Sequence, residues 1–573
     1  MCRHQLHQLL PLLALTFALG AVPARPCQAQ WRVDGAPVCT AGSFQDYPTI
    51  APDGAGGAII TWMDLRQQNN GYYLTYVQRL NSAGAPQWTA DGVLLSNTPA
   101  LYPTIVADGS GGAIITWGDG RNGNADIYAQ RVNAAGVPQW ADSGVALCTA
   151  LNNQLFPRIA PDGAGGAIVS WIDGRSGSSY DIYAQRVNAA GVPQWADSGV
   201  ALGASAYPQS QDLPAIVPDG AGGGIVTWTG STVSGDHVYA QHVSADGVPQ
   251  WTAGGVRLCA TEYNQVNPTI AADGAGGAIV AWSDIRNGAG NFDIFARRVS
   301  AAGSPQWPAE GVALCAAMND QTHPTIVADG AGGAIVTWQD ARNGVGNFDI
   351  YAQRLSAAGV PQWADSGVAL CIATNEQSAP MIASDGAGGA IVTWRDARAG
   401  SFDVYAQRVN AAGAPQWAEN GAALCTAAYN QDSPMIVPDG AGGAIVTWYD
   451  QRDVYPYTDI YAQKVYGSGV AAVPSPSAPA QFLLLEPSPN PSRDGQFRIG
   501  FDLPRSERVS AEVFDLEGER VRTLATNREF PAGPQALGWD GRNDAGVGLP
   551  SGVYFVEVRA GTHAEARRAV LLH

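Results

Sequence analysis

Short apolar runs separated by glycine-rich turns dominate this chain, and the same arrangement returns eight times at intervals of about 55 residues. In the sixth copy, the run Pro324–Ala328 is followed by the turn Asp329–Gly333, the continuously apolar run Ala334–Trp338 and the alternating run Asp349–Leu355. A fourth run lies within residues 361–370, and no segment has a sustained helical period. Four strands per repeat predict one blade of a β-propeller.

The aspartate of the Asp-Gly turn marks each copy and gives the number of blades. These aspartates are Asp53, Asp108, Asp162, Asp219, Asp273, Asp329, Asp385 and Asp439. The eighth copy ends after Asp459–Val465 without a fourth strand, and the missing pattern stands near the start of the chain, at Gln30-Trp31 and Gly35–Cys39. An N-terminal strand that completes the last blade would close the ring and remove two open sheet edges.

We therefore predict an all-β fold: an eight-bladed β-propeller of four-stranded blades, closed by the N-terminal strand and followed by an Ig-like β-sandwich. An open linear β array is the alternative. The predicted domains are a signal peptide at 1–29, the propeller at 30–465, a Pro/Ser/Ala linker at 466–481 and the Ig-like module at 482–573.

The predicted signal peptide contains the apolar run Leu9–Val22, which follows Arg3 and is shorter than a membrane span. We expect cleavage after Ala29 and no transmembrane segment in the mature chain. Cys27 raises the alternative of a lipoprotein, but Pro26 stands where such proteins usually have a small residue.

The C-terminal module has strand-like runs at Phe497–Leu503, Val509–Phe514, Val521–Leu524 and Val553–Val558, a number and spacing that suit an Ig-like sandwich.

The same module carries motifs of a known family. Pro-Asn-Pro at 489–491, the run at 513–524, Trp-Asp-Gly-Arg-Asn-Asp-Ala-Gly at 539–546 and Ser-Gly-Val-Tyr-Phe at 551–555 resemble the C-terminal sorting domain of type IX secretion cargo. They equally resemble the Ig-like domain of the flagellar hook-capping protein. The resemblance covers about the last 85 residues. It implies that secretion machinery is a partner of residues 482–573 and that the protein reaches the outer surface, or the surroundings, of a Gram-negative bacterium.

Charge and cysteine usage narrow the picture further. The formal net charge is −18 and Lys464 is the only lysine, so a nucleic-acid partner is excluded by repulsion of its phosphates. Six cysteines occupy one repeat position, which on different blades is too far apart for disulfide bonds. They are Cys39, Cys148, Cys259, Cys315, Cys371 and Cys425.

A Trp-x-Asp-x-Arg element after the second strand is the most conspicuous repeated polar motif, and only the fourth copy lacks its Asp/Arg pair. The pairs are Asp64/Arg66, Asp119/Arg121, Asp173/Arg175, Asp284/Arg286, Asp340/Arg342, Asp396/Arg398 and Asp450/Arg452. One interpretation is structural: each Arg bridges the Asp that starts the third strand, such as Asp349. The other is a ring of polar loops that binds a ligand, and from Asp119 onward we take these pairs as candidate ligand-binding residues.

No cofactor is expected, with calcium as the one weak candidate. Its ligands would be two sets of oxygen-bearing residues, Asp284, Asn287, Asn291 and Asp293, and Asp340, Asn343, Asn347 and Asp349. Arg286 and Arg342 stand where a calcium loop needs an acidic residue, which argues against the metal.

No catalytic residues are predicted, because the chain shows no catalytic carboxylate pair, Ser-His-Asp order or His-rich metal spacing. A few residues depart from the repeat: His237, His242, His323, Tyr207, Glu262 and Tyr263. Near-identical blades favour avid binding over catalysis. We predict a secreted or cell-surface binding or adhesion propeller whose ligand is a glycan or an extracellular protein. It would be held on the loop face, including connections such as Asn153-Gln154, Asn264-Gln265 and Glu376-Gln377, or at the central mouth.

Two other functions stay open. One is a glycan-active hydrolase or lyase on a sialidase-like propeller, since the Asp-Gly hairpin followed by Trp partly resembles the Asp-box, although nine positions separate Asp329 from Trp338. The other is a structural surface scaffold.

Overall fold

The computed structural model describes residues 31–572 apart from 68–70, 204–213, 289, 453–456, 469–481, 486, 488, 493–494, 531–532 and 562. Within these ranges every regular element is a strand, which confirms the all-β class. Eight sheets of about four antiparallel strands, the blades, follow one another along the chain, and two further sheets form the C-terminal module. The predicted signal peptide and most of the predicted linker lie outside the described residues.

The first four blades follow a short strand, β1 (Ala36–Cys39). Blade 1 contains β2 (Gln45–Pro52), β3 (Ala58–Asp64), β4 (Leu74–Leu80) and β5 (Val93–Leu94). Blade 2 contains β6 (Ala100–Ala107), β7 (Ala113–Asp119), β8 (Asp126–Val132) and β9 (Val145–Cys148). Blade 3 contains β10 (Gln154–Pro161), β11 (Ala167–Asp173), β12 (Asp181–Val187) and β13 (Val200–Gly203). Blade 4 contains β14 (Ala215–Pro218), β15 (Gly224–Thr232), β16 (Gly235–Val243) and β17 (Val256–Arg257).

The remaining blades repeat the plan. Blade 5 contains β18 (Gln265–Ala272), β19 (Ala278–Asp284), β20 (Asp293–Val299), β21 (Pro305–Gln306) and β22 (Val312–Cys315). Blade 6 contains β23 (Gln321–Ala328), β24 (Ala334–Asp340), β25 (Asp349–Leu355) and β26 (Val368–Cys371). Blade 7 contains β27 (Gln377–Ser384), β28 (Ala390–Asp396), β29 (Asp403–Val409) and β30 (Ala422–Cys425). Blade 8 contains β31 (Gln431–Pro438), β32 (Ala444–Asp450) and β33 (Asp459–Val465), and β1 is its fourth strand.

The N-terminal strand joins the last blade. β1 pairs antiparallel with β33, with Ala36 opposite Ala462 and Pro37 opposite Tyr461. Residues of the first and eighth blades also share one apolar core, in which Ile60 packs with Ile445. The strand pairing expected from the incomplete eighth repeat is therefore present.

First strands of consecutive blades pack on one another, from β2 through β31, and β31 also packs on β2. Fourth strands show no comparable packing on one another in the described residues. The first strands therefore lie at the centre of the disc and the fourth strands at its rim.

The tight turn after each first strand depends on its aspartate and glycines. In blade 6, the Asp329 carboxylate accepts hydrogen bonds from the backbone N–H groups of Ala331 and Gly333, both at 2.8 Å. Gly330 and Gly332 have φ of 76° and 80°, in the left-handed region that favours glycine. A Cβ on Gly333 would meet the Leu355 carbonyl oxygen at 2.0 Å, so the hairpin accepts no side chain there.

Two sets of tryptophans hold the blades together. Trp338 and its counterparts on the second strands are buried. Trp140 and its counterparts at the Gln-Trp positions reach the following blade, where the Trp140 Nε1 donates to the Ala189 carbonyl at 3.1 Å. A Cβ on Gly191 would meet the Trp140 ring at 2.6 Å, so the glycine makes room for the indole.

The C-terminal module is a two-sheet sandwich. Its strands are β34 (Leu483–Leu484), β35 (Phe497–Leu503), β36 (Glu507–Phe514), β37 (Arg520–Phe530), β38 (Gly533–Trp539), β39 (Gly552–Ala560) and β40 (His563–Leu571). One sheet has the order β34-β35-β38 and the other β37-β36-β39-β40. Phe501, Trp539 and Val556 are among the side chains buried between them. The predicted strand-like runs coincide with β35 or lie within β36, β37 and β39.

A search of the described residues for a helix both long and apolar enough to cross a membrane finds none.

Candidate functional site

The Asp/Arg pairs form closed hydrogen-bonded units inside the blades. In blade 6, the buried Asp340 carboxylate accepts from the indole Nε1 of Trp338 at 2.8 Å and from the backbone N and Nε of Arg342, both at 2.9 Å. The Nη2 of Arg342 also donates to the Ser366 carbonyl at 2.8 Å, and the guanidinium lies 3.7 Å from the ring centroid of Tyr351. Burial acts to lower the pKa of Arg342, but the hydrogen bond to Asp340 and the attraction of the nearby acidic groups together outweigh it and hold the pKa above its ordinary value.

The partner of each Arg differs from the one expected. The structural interpretation of the motif placed the bridge at the aspartate that starts the third strand, whereas each Arg bridges the aspartate two residues before it. The seven bridges are Asp64–Arg66, Asp119–Arg121, Asp173–Arg175, Asp284–Arg286, Asp340–Arg342, Asp396–Arg398 and Asp450–Arg452. A spacing of two residues suits the planar guanidinium fork, which can grip a carboxylate already held by the indole. Ligand binding by these pairs stays a prediction.

The calcium candidates are engaged with one another. Asn343 donates its Nδ2 to Asp349 at 2.7 Å, Asn287 donates to Asp293 at 2.5 Å, and Asp340 is held by its Arg and Trp. As placed, the two asparagines offer the carboxylates a donor instead of offering a cation an oxygen ligand. Among the described residues no three His, Cys, Asp or Glu side chains come together as a metal site. The absence of a cofactor stays a prediction, with calcium as its untested alternative.

A second set of ion pairs ties each blade to the next at the opposite end of the first strand. Arg354 donates its Nη2 to the turn aspartate Asp329 at 2.9 Å and its Nη1 to the Ala411 carbonyl of blade 7 at 3.1 Å. In blade 4 the cation is replaced by His242, whose Nε2 lies 2.8 Å from Asp219, and in blade 8 by Lys464, 3.0 Å from Asp439. More than twenty positions separate the two members of each pair, so their contact does not follow from the spacing of a motif.

The Gln-bearing connections were predicted to form part of a ligand face, and this was wrong for their glutamines. Gln154, Gln265 and Gln377 are fully buried. Gln377 donates its Nε2 to the Asn375 carbonyl at 2.9 Å. Each glutamine begins a first strand, where its amide serves the chain's own backbone.

The first strands share a distortion near their N-terminal ends. The residue before the strand's proline is left-handed, with φ between 51° and 54°, and the strand register shifts there in all seven copies in which it is described. Non-glycine residues seldom adopt this conformation, and it costs free energy. The residues are Tyr47, Tyr102, Phe156, Asn267, His323, Ala379 and Ser433. The backbone is thus repeated while the side chain changes from blade to blade.

Three of these side chains form an aromatic shelf, which we define as Tyr47, Tyr102 and Phe156 of blades 1 to 3. The Tyr47 and Tyr102 rings meet edge to face with centroids 5.7 Å apart, and the Tyr102 and Phe156 rings lie 4.7 Å apart with a 38° tilt. Tyr47 is 53% exposed. Tyr102 and Phe156 are half-buried, so this aromatic series at the centre of the disc keeps ring surface on which a ligand can stack.

Charged and hydroxyl side chains from blades 7, 8 and 1 form a polar arc, which we define as Arg395, Asp432, Asp46 and Tyr73. Arg395 donates its Nη1 to Asp432 at 2.9 Å. Asp46 accepts from the Tyr73 hydroxyl at 2.9 Å and from the Thr458 hydroxyl at 3.0 Å. Burial raises the pKa of Asp46, although both hydrogen bonds act to lower it. We call the region bounded by the shelf and the arc the mouth.

The mouth contains residues that sequence reasoning missed, although a signal was present. In the aligned repeats, the two positions before the first strand's proline and the position after the Trp of the second strand are among those at which the copies differ. Among the residues singled out from sequence, His323 lies at a left-handed position of the mouth, whereas Tyr207 is outside the described residues. His237 is buried, with its Nδ1 3.1 Å from the Gln265 Oε1 and its Nε2 3.1 Å from the Ser234 hydroxyl.

Comparison with known proteins identifies one module. Residues 488–564 match the family described as FlgD Ig-like domain. No curated protein matches the chain.

Solved structures give distant likenesses. An ulvan lyase, described as a new family of polysaccharide lyase, is 9% identical, with 77% of this chain and 96% of that chain covered and a TM-score of 0.39. A Dyadobacter fermentans protein of unknown function is also 9% identical, with 76% and 98% covered and a TM-score of 0.34. A fungal alcohol oxidase is 13% identical, with 82% and 96% covered and a TM-score of 0.35. These scores carry no argument about function.

Proposed function

We propose that this protein is a secreted or cell-surface propeller of a Gram-negative bacterium that binds a glycan or protein ligand at the mouth and is not an enzyme. One observation carries the proposal: the repeated polar residues are engaged inside the blades, while side chains that differ between copies gather at the mouth. Polar residues that are the same in nearly every blade stabilise the packing of the blades. Residues that vary on a repeated backbone suit recognition, because they give a nearly symmetric disc one asymmetric face.

The shelf and the arc together resemble the composition of a saccharide site. A sugar presents an apolar face that can rest on aromatic rings and hydroxyl groups that need charged or polar partners. The aromatic rings are those of the shelf, Tyr47, Tyr102 and Phe156. The charged partners are those of the arc, Asp46, Asp432 and Arg395. A glycan is therefore the ligand that we favour over a protein.

Export follows from both ends of the chain. Residues 1–29 would direct the chain out of the cytoplasm, and residues 482–573 would be recognised by secretion machinery of the type IX class. The match of 488–564 to the FlgD Ig-like domain supports the Ig-like fold of that module, and its sorting role is part of the proposal.

A glycan-active hydrolase or lyase is the second candidate. Asp46 lies at the mouth beside Tyr73, and burial raises the pKa of its carboxyl group, a perturbation that is common among acid–base residues of active sites. A glycan array that is read for both protein retention and sugar release separates this candidate from simple binding.

The test is a glycan array probed with the full-length exported protein, read for both protein retention and sugar release. The variant Tyr47→Ala/Tyr102→Ala should lose at least about tenfold in affinity, or about 1.4 kcal/mol. Tyr429→Ala is the matched control, since Tyr429 is 55% exposed and left-handed like Tyr47 but lies in the connection before blade 8. Retention without release supports the proposal. Release of sugar favours the enzyme, and neither signal on any glycan leaves a protein ligand or a structural scaffold.

A further inference from the structure

Arg158 occupies a position on β10 where other blades carry small or uncharged side chains. The corresponding residues of the other first strands are Thr49, Thr104, Ala215, Thr269, Thr325, Met381 and Met435. In blade 1 the threonine hydroxyl donates to the Pro103 carbonyl of the next first strand at 3.2 Å, so this position faces the neighbouring strand at the centre of the disc. Arg158 therefore brings a guanidinium among the central strands, two residues beyond Phe156 of the shelf.

Few protein groups satisfy this guanidinium. Its Nη1 donates to the carbonyl of the adjacent Pro157 at 3.1 Å. No carboxylate of the described residues pairs with it. Desolvation by the surrounding strands lowers the pKa of Arg158 to about 10, and no charge of the described residues counteracts it.

Arg297 shows how the same fold satisfies a buried arginine that has no carboxylate. It lies on β20 of blade 5, and its guanidinium donates to three backbone carbonyls, those of Gln306 at 3.1 Å, Leu258 at 2.9 Å and Ala309 at 2.8 Å. Arg158 has one such bond in place of three. Arg158 is only half-buried, so the donors that the protein leaves unbonded are available to solvent or to a ligand.

The open donors of Arg158 are directed to solvent within the disc. None of its nitrogen atoms is among the buried polar atoms that lack a partner. Its side chain is thus crowded by protein yet reachable from the central space. A planar fork of N–H donors in this setting suits a carboxylate or a sulfate, which it can bind through two parallel hydrogen bonds.

We propose that Arg158 receives the anionic group of a saccharide whose ring rests on the aromatic shelf, so that the ligand is an acidic sugar carrying a carboxylate or a sulfate. This rests on the proposed function and narrows its ligand class. Phe156 and Arg158 are two residues apart on one strand, so their Cα atoms lie at most about 7 Å apart. One pyranose ring with an exocyclic acid group spans such a distance.

The acidity of the whole chain does not prevent this. The net charge is −18, but charges farther away than about 10 Å are largely screened at 0.1 M salt. Near the mouth, Asp432 is neutralised by Arg395. Asp46 is held by two hydroxyl groups and lies on blade 1, two blades from Arg158.

The decisive variant is Arg158→Thr, because threonine stands at this position in four other blades and fits the strand. Thr325→Val is the matched control at the same position in blade 6. The full-length proteins would be titrated with uronate-containing and sulfated oligosaccharides and with neutral oligosaccharides of the same length. We expect Arg158→Thr to lose at least about tenfold in affinity for the acidic ligands and to bind the neutral ones like the wild type, with Thr325→Val unchanged.

A second measurement uses inorganic sulfate alone. Sulfate stabilises proteins in general, so the readout is the difference between variants in melting temperature at matched ionic strength. Wild type and Thr325→Val should gain more from sulfate than Arg158→Thr does.

The outcomes separate this inference from the proposed function. Equal acidic-ligand affinity and equal sulfate response in wild type and Arg158→Thr would refute the role of Arg158, while shelf-dependent binding of neutral glycans would leave the proposed function standing. A sulfate response that needs Arg158, with no glycan retained at all, would refute both the acidic sugar and the glycan ligand.

Discussion

Removing the Asp340 carboxylate should destabilise blade 6 without affecting ligand binding. Asp340 has no exposed side-chain surface and accepts hydrogen bonds from Trp338 and Arg342, so Asp340→Ala leaves an indole N–H and a guanidinium without their acceptor. Breaking a buried ion pair by removing one partner typically costs about 3 to 5 kcal/mol. The Arg342 side chain is 19% exposed and keeps its bond to Ser366, which places the expected loss near the lower end, at about 3 kcal/mol.

The variant Arg342→Ala and the double variant complete a cycle. With both charges gone, no buried ion is left unpaired, so the double variant should be less destabilised than the sum of the single variants, by about 1 to 3 kcal/mol. Blade 4 already lacks the pair, having Trp228-Thr229-Gly230-Ser231 in its place, which shows that the fold tolerates the loss of both members.

The assay is urea unfolding followed by tryptophan fluorescence, with hydrogen exchange of amides in β24 and β25 as the local readout. Ligand retention on the glycan array is measured on the same proteins under folding conditions. Additive single-variant effects, or lost ligand binding with unchanged exchange in β24, would refute the structural reading of the Asp/Arg pairs and restore them as a ligand-binding ring.

Three further predictions concern titration and reactivity. Burial raises the pKa of Asp293 to about 6, so the folded state binds a proton that the unfolded chain releases near pH 4. The free energy of unfolding should therefore fall as the pH rises between those values. In urea titrations, Asp293→Asn should show a smaller fall. Burial acts to raise the pKa of Asp329, but hydrogen bonds from the backbone and from Arg354 lower it below its ordinary value. The stabilisation by Asp329 should therefore be present above about pH 4 and be lost at lower pH. Thermal melts of Asp329→Asn should show less acid sensitivity. Burial raises the pKa of the Cys315 thiol to about 12, so a thiol reagent at pH 8 should label it only after unfolding; rapid labelling of the native protein, followed by mass spectrometry, would contradict its burial.

The architecture was predictable because each blade is specified by local signals. Pro324–Ala328 lies within β23 and Asp349–Leu355 coincides with β25, since Asp-Gly turns and runs of apolar residues fix strand ends through backbone conformation alone. The fourth strand of blade 8 was predictable for a similar reason. The eighth repeat lacks the fourth-strand sequence, and the same sequence pattern stands at the N terminus.

Side-chain partners were harder to predict, because they depend on how blades are placed in space. Arg342 contacts Ser366 of its own blade and lies 3.0 Å from the Cys315 Sγ of blade 5, and neither contact follows from the spacing of the motif. The burial of Gln377 was also hidden, because a polar residue beside a turn is usually exposed. The shelf was missed since Tyr47 and Phe156 look like ordinary strand residues until the left-handed backbone is known.

The repeated residues inside the blades, which we call the frame, differ from the residues of the mouth in how many contacts they make. A residue that must satisfy a buried carboxylate, a cysteine and a backbone carbonyl at once, as Arg342 does, cannot change without leaving several groups unpaired. A left-handed residue such as Tyr102 is held by the strand's backbone, so its side chain is free to differ in every copy. Residues are therefore the same in nearly every blade where they make many contacts, and they differ between blades where the backbone alone holds them in place. Arg158 lies between these two regimes: threonine serves the frame at its position in other blades, and replacing it with an unpaired arginine is explained by a ligand rather than by packing.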